Sequence, residues 1–380
     1  MTEDTQMRQS FEAPLAQKEE KAFLASQWRL IWWKFLEHKM AVVSGVVLAI
    51  LYIMAVFCEF IAPYNPKERD PAYVLAPPQR IRFVDEDGFG LRPFVYAYEW
   101  TKDPVSMVRV YEPDESRKHP LRLFVRGQTY KMWGLFEWNI HLFGTGEGAM
   151  YLLGTDTLGR DMLSRIIYGA RVSLSIGLVG VLMSFIVGLT LGCISGYFGG
   201  WIDNVIQRGI EILRSFPRIP LWMGLSAALP IEWPVTKTYF AITIILSVLG
   251  WTGMARVARG KVLSLKTEEF VLSARLSGAG LGRIIRVHLV PSFISHVIAS
   301  LTLAIPGMIL GETALSFLGL GLRDPVISWG VLLYKSQSIH TIAFSPWLFV
   351  PAFFVIVTVL CFNFFGDGLR DAADPYSVSG

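Results

Sequence analysis

Paired carboxylates, histidines, cysteines and glycine-rich loops are the groups from which hydrolytic, metal or nucleotide chemistry is assembled, and none has the spacing that chemistry needs here. Asp156, Arg160 and Asp161 place two carboxylates and a cation in one short stretch. With no second convergent group, their expected work is hydrogen bonding and charge pairing at the start of a helix, not acid–base catalysis. His288 and His296 stand alone, which favours a structural role over metal binding. Cys58, Cys193 and Cys361 lie in separate apolar stretches and imply neither a disulfide framework nor a zinc site. Neither HExxH nor GxSxG occurs. The phosphate-loop pattern GxxxxGK[ST] also fails, because Val262 follows Gly260-Lys261 and Ala255 holds the first glycine position. Gly278, Gly280 and Gly282 follow no strand and lack nucleotide-loop spacing. No catalytic, cofactor-binding or metal-ligating residue is assigned to this chain.

One polar stretch has mechanical rather than chemical promise. Thr267 can cap a helix whose first turn holds Glu268 and Glu269, and Gly278, Ala279 and Gly280 should end it. A second short helix, carrying Arg283, then runs to Pro291. Two helices bent at glycine, with Phe270, Val271 and Ala274 on one apolar face, make a rigid knob suited to another protein's groove. A plain interhelical loop is the alternative.

The elements that would hold this knob are set by hydropathy. Of the 380 residues 52% are hydrophobic and only 17% charged, more apolar surface than a water-soluble domain needs, so lipid is the expected solvent. A net charge of +4, with no basic cluster interleaved with aromatics, argues against nucleic acid. Polar and acidic residues fill Met1 to Glu20, so no signal peptide is expected. Met40 to Cys58 carries no charge and is long enough to span. Before it, Phe23, Leu24, Trp28, Ile31, Trp32, Phe35 and Leu36 recur at helical spacing among basic residues, the pattern of a helix lying in the interface. Further spans are expected at Val172–Ile202, Ile210–Leu229, Thr238–Ala255, Val287–Gly311 and Thr341–Gly366, giving six.

Between the first two spans, prolines end the helix and a mixed stretch continues to about Tyr168, too long for a loop, with strand-like runs such as Leu121 to Val125. The expected organisation is an N-terminal tail and interfacial helix over 1–39, a span over 40–60, and an insert over 61–168. A helical core over 169–368 contains the loop 256–291, and a tail covers 369–380. Arg256, Arg259, Lys261, Lys266, Arg275, Arg283 and Arg286 crowd the 256–291 loop, so it should be cytoplasmic. Both termini then lie in the cytoplasm and the insert lies outside.

Charges inside such spans need partners. Glu211, Arg214 and Arg218 share a helical face, where mutual pairing or lining of a path is expected. Glu312 opens a segment, with Phe317 and Leu318, that is apolar yet glycine-rich and suits a stretch folded back at the membrane surface. Gly188, Gly192 and Gly196 allow another helix, of this chain or of a partner, to approach closely.

The run Phe270-Val271-Leu272-Ser273-Ala274-Arg275-Leu276-Ser277-Gly278-Ala279, followed by Arg283 to Pro291, resembles the coupling-loop signature of ABC importer permeases, specifically the dipeptide/oligopeptide permease family. Leu153-Gly154-Thr155-Asp156 with Gly159-Arg160-Asp161, Gly196 to Asp203, Leu315 to Gly321, and Gly366 to Asp371 with Asp374-Pro375 strengthen the resemblance, which covers the first span and nearly everything from Leu153 onward. Where the family usually has Glu-Ala-Ala, this chain has Leu272-Ser273-Ala274. Its longer insert is similar to that of the branch including microcin-type peptide importers.

The resemblance implies a six-helix, all-α type I importer permease with an extra periplasmic α/β or β-rich insert, sited in the bacterial inner membrane. It further implies a second homologous permease subunit, two ABC ATPase subunits that bind ATP and magnesium, and a periplasmic solute-binding protein. Glu268, Glu269, Phe270, Ala274, Gly278 and Arg283 would couple to the ATPase, and Glu312, Phe317 and Leu318 would help close the external gate. Peptides are the expected cargo, with oligosaccharides the alternative. A membrane-embedded enzyme is the rival of another class, and it lacks its motifs.

Overall fold

The computed structural model describes residues 27–373 apart from 86–87 and 106–107. Phe23 and Leu24 of the expected interfacial helix lie outside the described residues. The helix itself begins at Gln27 as α1 (Gln27–Glu37), and α2 (Lys39–Val56) follows after a break at His38, whose Nδ1 accepts from the Ala41 N–H. Among the described residues, five helices are long and apolar enough to cross a membrane: Lys39–Val56, Met162–Phe198, Val235–Leu265, Ile294–Phe317 and Pro346–Ala373.

Several boundaries differ from those expected, mostly because hydropathy stops at a charge while the helix does not. The second span, α4 (Met162–Phe198), starts ten residues before Val172 and ends at Gly199, whose φ of 66° turns the chain before Ile202. It follows the single turn α3 (Cys58–Ile61) and the sheet. The third span is not one helix over Ile210–Leu229 but two, α5 (Gly200–Ser215) and α6 (Arg218–Ala227). Phe216 between them is extended (ψ 134°), as the residue before Pro217 must be. Neither piece is itself long enough to span. The fourth, α7 (Val235–Leu265), runs ten residues past Ala255.

A short helix, α8 (Glu269–Leu276), precedes helical turns at Leu281–Arg283, Ile284–Leu289 (π) and Val290–Ser292. Val287 therefore belongs to the π turn, and the fifth span, α9 (Ile294–Phe317), begins seven residues later and runs six past Gly311. After α10 (Trp329–Tyr334) and α11 (Ile339–Phe344), Ser345 breaks the expected Thr341–Gly366 helix. The chain resumes with a 3-10 turn, Pro346–Phe349, and α12 (Val350–Ala373), which extends into the expected tail.

Close helix contacts are made by glycine. A Cβ on Gly188 would lie 2.6 Å from the Trp251 carbonyl and one on Gly196 2.8 Å from the Arg259 carbonyl; at Gly192 it would collide with the Ala255 carbonyl. The Gly188/Gly192/Gly196 stripe thus packs α4 on α7 of the same chain, backbone against side chain and backbone. Ile242, Leu246, Ile309, Leu174, Ile176 and Trp329 form the centre of the main core.

The insert is a four-stranded antiparallel sheet in the order β1 (Arg82–Asp85), β2 (Gly88–Lys102), β3 (Arg109–Met132) and β4 (Phe136–Thr145). Strand β3 is long enough to serve both neighbours: it pairs with β2 over Arg109 to Pro120 and with β4 over Leu121 to Met132. The flanking segments stitch the sheet to one end of the helix bundle. Gln79 donates Nε2 to the Tyr96 carbonyl and accepts from the Tyr151 N–H, and Ala76 N–H bonds Thr155 Oγ1 at 2.8 Å.

Candidate functional site

At the end of the bundle opposite the sheet, α7 turns through Lys266 and Thr267 into α8. The helix starts one residue later than Thr267 capping requires: Glu268 is the N-cap, without a side-chain cap bond, and Glu269 lies in the first turn. Val271 is buried with Met254, Val262, Ile284, Leu289 and Phe293, which fixes α8 against the end of the bundle. The expected apolar face therefore divides. Val271 points inward and Ala274 is half-buried, while Phe270 and Leu272 are exposed and Leu276 is 90% exposed. Gly278 ends the helix with φ 78°, its N–H bonding the Arg275 carbonyl and the Ala279 N–H the Ala274 carbonyl, a left-handed C-terminal stop. Arg283 is exposed in the following turn.

The base of this knob is braced by a pairing the sequence did not reveal. Asp203, on α5, takes Arg259 Nε at 2.6 Å and Nη2 at 2.5 Å and also accepts from Ser195 Oγ. Lys266 Nζ donates to the Gly196 carbonyl at 3.2 Å.

The expected charge cluster of Glu211, Arg214 and Arg218 does not assemble. Glu211 pairs with Arg208 at 2.7 Å, one turn back, and the Phe216–Pro217 break puts Arg218 on a separate helix. Arg218 instead lines a cavity of about 340 Å³ with Trp222, Leu249, Met254, Ser300 and Met308, between α4, α6, α7 and α9.

At the sheet end, Asp156 is the hub of an ion network. Arg160 Nη2 lies 2.7 Å and Arg165 Nη1 2.6 Å from its Oδ2, with Lys335 at 3.8 Å. Asp324 meets Arg160 and Arg165 at 3.5 Å and Lys335 at 3.4 Å. Burial would raise the Asp156 carboxyl, but Arg165 and Arg160 hold it below the usual range. Asp161 is the N-cap of α4: its Oδ2 accepts from the Ser164 N–H at 2.8 Å, and its buried Oδ1 has no partner. Burial pushes this carboxyl up to about 6 despite the Ser164 bond. Arg165, Asp324 and Lys335 escaped sequence reading. The one available signal was an arginine inside a long apolar run, which demands a buried partner.

Glu312 does not open a folded-back segment. It lies within α9, is 0% exposed, and accepts from Ser328 Oγ at 2.7 Å, Ser316 Oγ at 2.8 Å and Ser173 Oγ at 3.2 Å. Ser328 also caps α10, and Trp329 N–H bonds Ser173 Oγ at 3.1 Å. One carboxyl thus binds α4, α9 and α10 together. The fold-back occurs later, over residues 318–328, after Phe317 closes the helix and exposed Leu318 begins the turn. Among the described residues no group of three His, Cys, Asp or Glu is arranged to hold a metal ion.

Among the described residues, five helices of membrane-spanning length, with an exposed helical knob at one end and a sheet at the other, define a multi-pass membrane protein. Residues 188–376 match the model of the binding-protein-dependent transport system inner membrane component, and residues 26–78 that of the N-terminal TM domain of oligopeptide transport permease C. The oligopeptide transport system permease protein OppC of Haemophilus influenzae is 42% identical over 240 residues, 63% of this chain and 75% of that protein. The dipeptide transport system permease protein DppC of Bacillus subtilis is 42% identical over 229 residues, 60% of this chain and 69% of that protein. DppC of Lactococcus lactis subsp. cremoris is 32% identical over 351 residues, 90% of this chain and 89% of that protein. The chain belongs to the dipeptide/oligopeptide permease family of binding-protein-dependent ABC importers, as a multi-pass inner-membrane transport subunit.

Proposed function

We propose that this chain pairs with a second, homologous permease subunit to enclose a path for peptides, delivered by an external binding protein and driven by two ATPase subunits carrying ATP and magnesium. The observation that carries the reading is the knob: α8 is fixed by Val271 yet presents Phe270, Leu272 and Leu276 outward on a helix stopped by Gly278. Exposed apolar side chains on a rigid short helix are what a groove in a partner recognises. Leu272, standing where the family usually has glutamate, makes the contact with the ATPase more apolar there, with Glu268 and Glu269 at the N-terminal end supplying charge.

The basic residues gathered at the knob end support a cytoplasmic position for it. The sheet then faces outward, both termini face inward, and α5 with α6 forms a bent third crossing that completes six. ATP binding would shift the pair toward an outward-open packing and hydrolysis would reset it, with the Glu312 and Asp156 networks holding the outer segment closed in between.

Affinity purification from the native membrane in mild detergent tests this. Two Walker-motif ATPases and a second permease should co-purify, and the associated binding protein should take peptides in preference to oligosaccharides. Recovery of the chain alone, without ATPase, would refute the assembly.

A further inference from the structure

We propose that the β3–β4 hairpin tip is a membrane anchor, its aromatic and aliphatic side chains seated among the lipid headgroups beside the sheet end of α2. The inference rests on where the tip is tied and which side chains it exposes, and it is independent of the transport reading.

The tip is held at the level where α2 leaves the hydrocarbon. Eighteen residues at 1.5 Å each make α2 about 27 Å long, close to the roughly 30 Å apolar thickness of a bilayer. Its last residue, Val56, gives its carbonyl to Trp133 Nε1 at 2.8 Å, and the Phe57 and Trp133 rings lie 5.6 Å apart. His141 Nδ1 meets the Ala62 carbonyl at 2.6 Å, so the hairpin is bonded to the chain on both sides of α3. The three-residue turn Trp133–Leu135 therefore cannot stand far from the boundary plane.

The exposed surface is continuous across this junction. One face of α2 is buried through Ala41, Ser44, Leu48, Leu51 and Ala55, and the opposite face exposes Val43, Val46, Ile50 and Ile53, an apolar stripe at helical spacing. The stripe runs on through Phe57 into Trp133, Leu135, Phe136 and Trp138, all exposed, Leu135 at 78%. The hairpin is also two-sided. Phe136 and Trp138 stand opposite Met132 and Tyr130 on one face, while Lys131 and Glu137 pair at 3.7 Å on the other. Two indoles with a leucine turn on one side and an ion pair on the other is the composition of an interfacial segment: the rings bury while the charges stay wet. An apolar ridge of this size left in water would be an aggregation surface. The sheet's other turn, between β2 and β3, exposes Val105 at 91%.

The test uses the full chain with its co-purifying subunits in nanodiscs, in a background where Cys361 is replaced by serine and buried Cys58 and Cys193 are left in place. An environment-sensitive fluorophore is attached to Leu135→Cys, Trp138→Cys or, as the water-exposed control, Val105→Cys. Two anchor positions are used so that misfolding of one variant leaves the other to report. The expected result is blue-shifted emission at 135 and 138, lost on adding lipids that carry a spin label near the headgroup and unaffected by iodide, with the reverse at 105. Iodide quenching at 135 and 138 equal to that at 105 would put the tip in water and overturn the proposal. Shielding of both positions from iodide and from labelled lipid would also overturn it, assigning the ridge to a protein partner.

Discussion

Gly278 offers the sharpest test of how the knob works, because its demands are conformational and not steric. Its φ is 78°, and a Cβ built there meets nothing within 4 Å. Bulk is therefore irrelevant and backbone preference decides the outcome. Holding an ordinary L-residue in the left-handed region costs about 1–2 kcal/mol; asparagine tolerates the conformation best, and a β-branched residue worst. Gly278→Val should thus destabilise the stopped helix by about 1–2 kcal/mol, which at 1.4 kcal/mol per tenfold corresponds to roughly a 5- to 30-fold loss in the fraction of knobs correctly set. Gly278→Asn should lose only a small part of this. The assay is peptide uptake alongside ATP hydrolysis in the reconstituted importer, with membrane abundance measured in parallel. Valine should uncouple hydrolysis from uptake at normal abundance, and asparagine should remain coupled. Equal uptake by the two variants would refute the reasoning, as would an asparagine variant as impaired as valine.

Other positions carry independent predictions. Glu312→Ala should lower the thermal stability of the detergent-solubilised protein far more than Glu312→Gln, because each buried hydroxyl left unpaired costs about 1–3 kcal/mol, while glutamine keeps an acceptor for Ser316 and Ser328. Gly192→Leu should prevent stable accumulation in the membrane, since its side chain must enter the α4–α7 contact. Gly209→Leu, where a Cβ meets nothing within 4 Å, should accumulate normally. Asp161 carries a pH prediction. Its carboxyl is raised from the ordinary 3.8 to about 6, so the folded state holds the proton more tightly. The stability this contributes is present below about pH 4 and lost as pH rises through 6, about 3 kcal/mol for two units. Asp161→Asn keeps the cap to Ser164 and should flatten that pH dependence of thermal unfolding, with its largest gain above pH 6.

How far the site could be read in advance varied with how local its physics is. The knob was legible, because a helix bounded by acidic residues and a glycine stop is decided within a dozen residues. Even so, its start fell at Glu268 and its apolar face split, since which side is covered depends on Ile284, Leu289 and Phe293 from the next turns. The pairing of Glu211 with Arg214 and Arg218 was expected from helical spacing alone, but Glu211 turns back to Arg208 and the Phe216–Pro217 break sets Arg218 on a separate helix.

The sequence by itself determined that this is a membrane protein, roughly where the charge-free spans run, that no nucleotide loop is present, and which permease family it resembles. Each of these depends on composition or on contiguous residues. Only the tertiary structure decided how Arg165, Arg171 and Arg259 could sit within helices that cross a membrane. Their carboxylate partners, Asp156 and Asp324, Glu59, and Asp203, are 9 to 159 residues away in sequence. Hydropathy counts each such charge as a reason to end a span, whereas the folded chain supplies a counter-charge that makes the same residue a tie between helices. The same holds for Glu312, whose three hydroxyl donors come from two helices and a loop. It holds too for the sheet, whose strands were readable as strands but whose seat on Val56 and Ala62 is a contact no local pattern encodes.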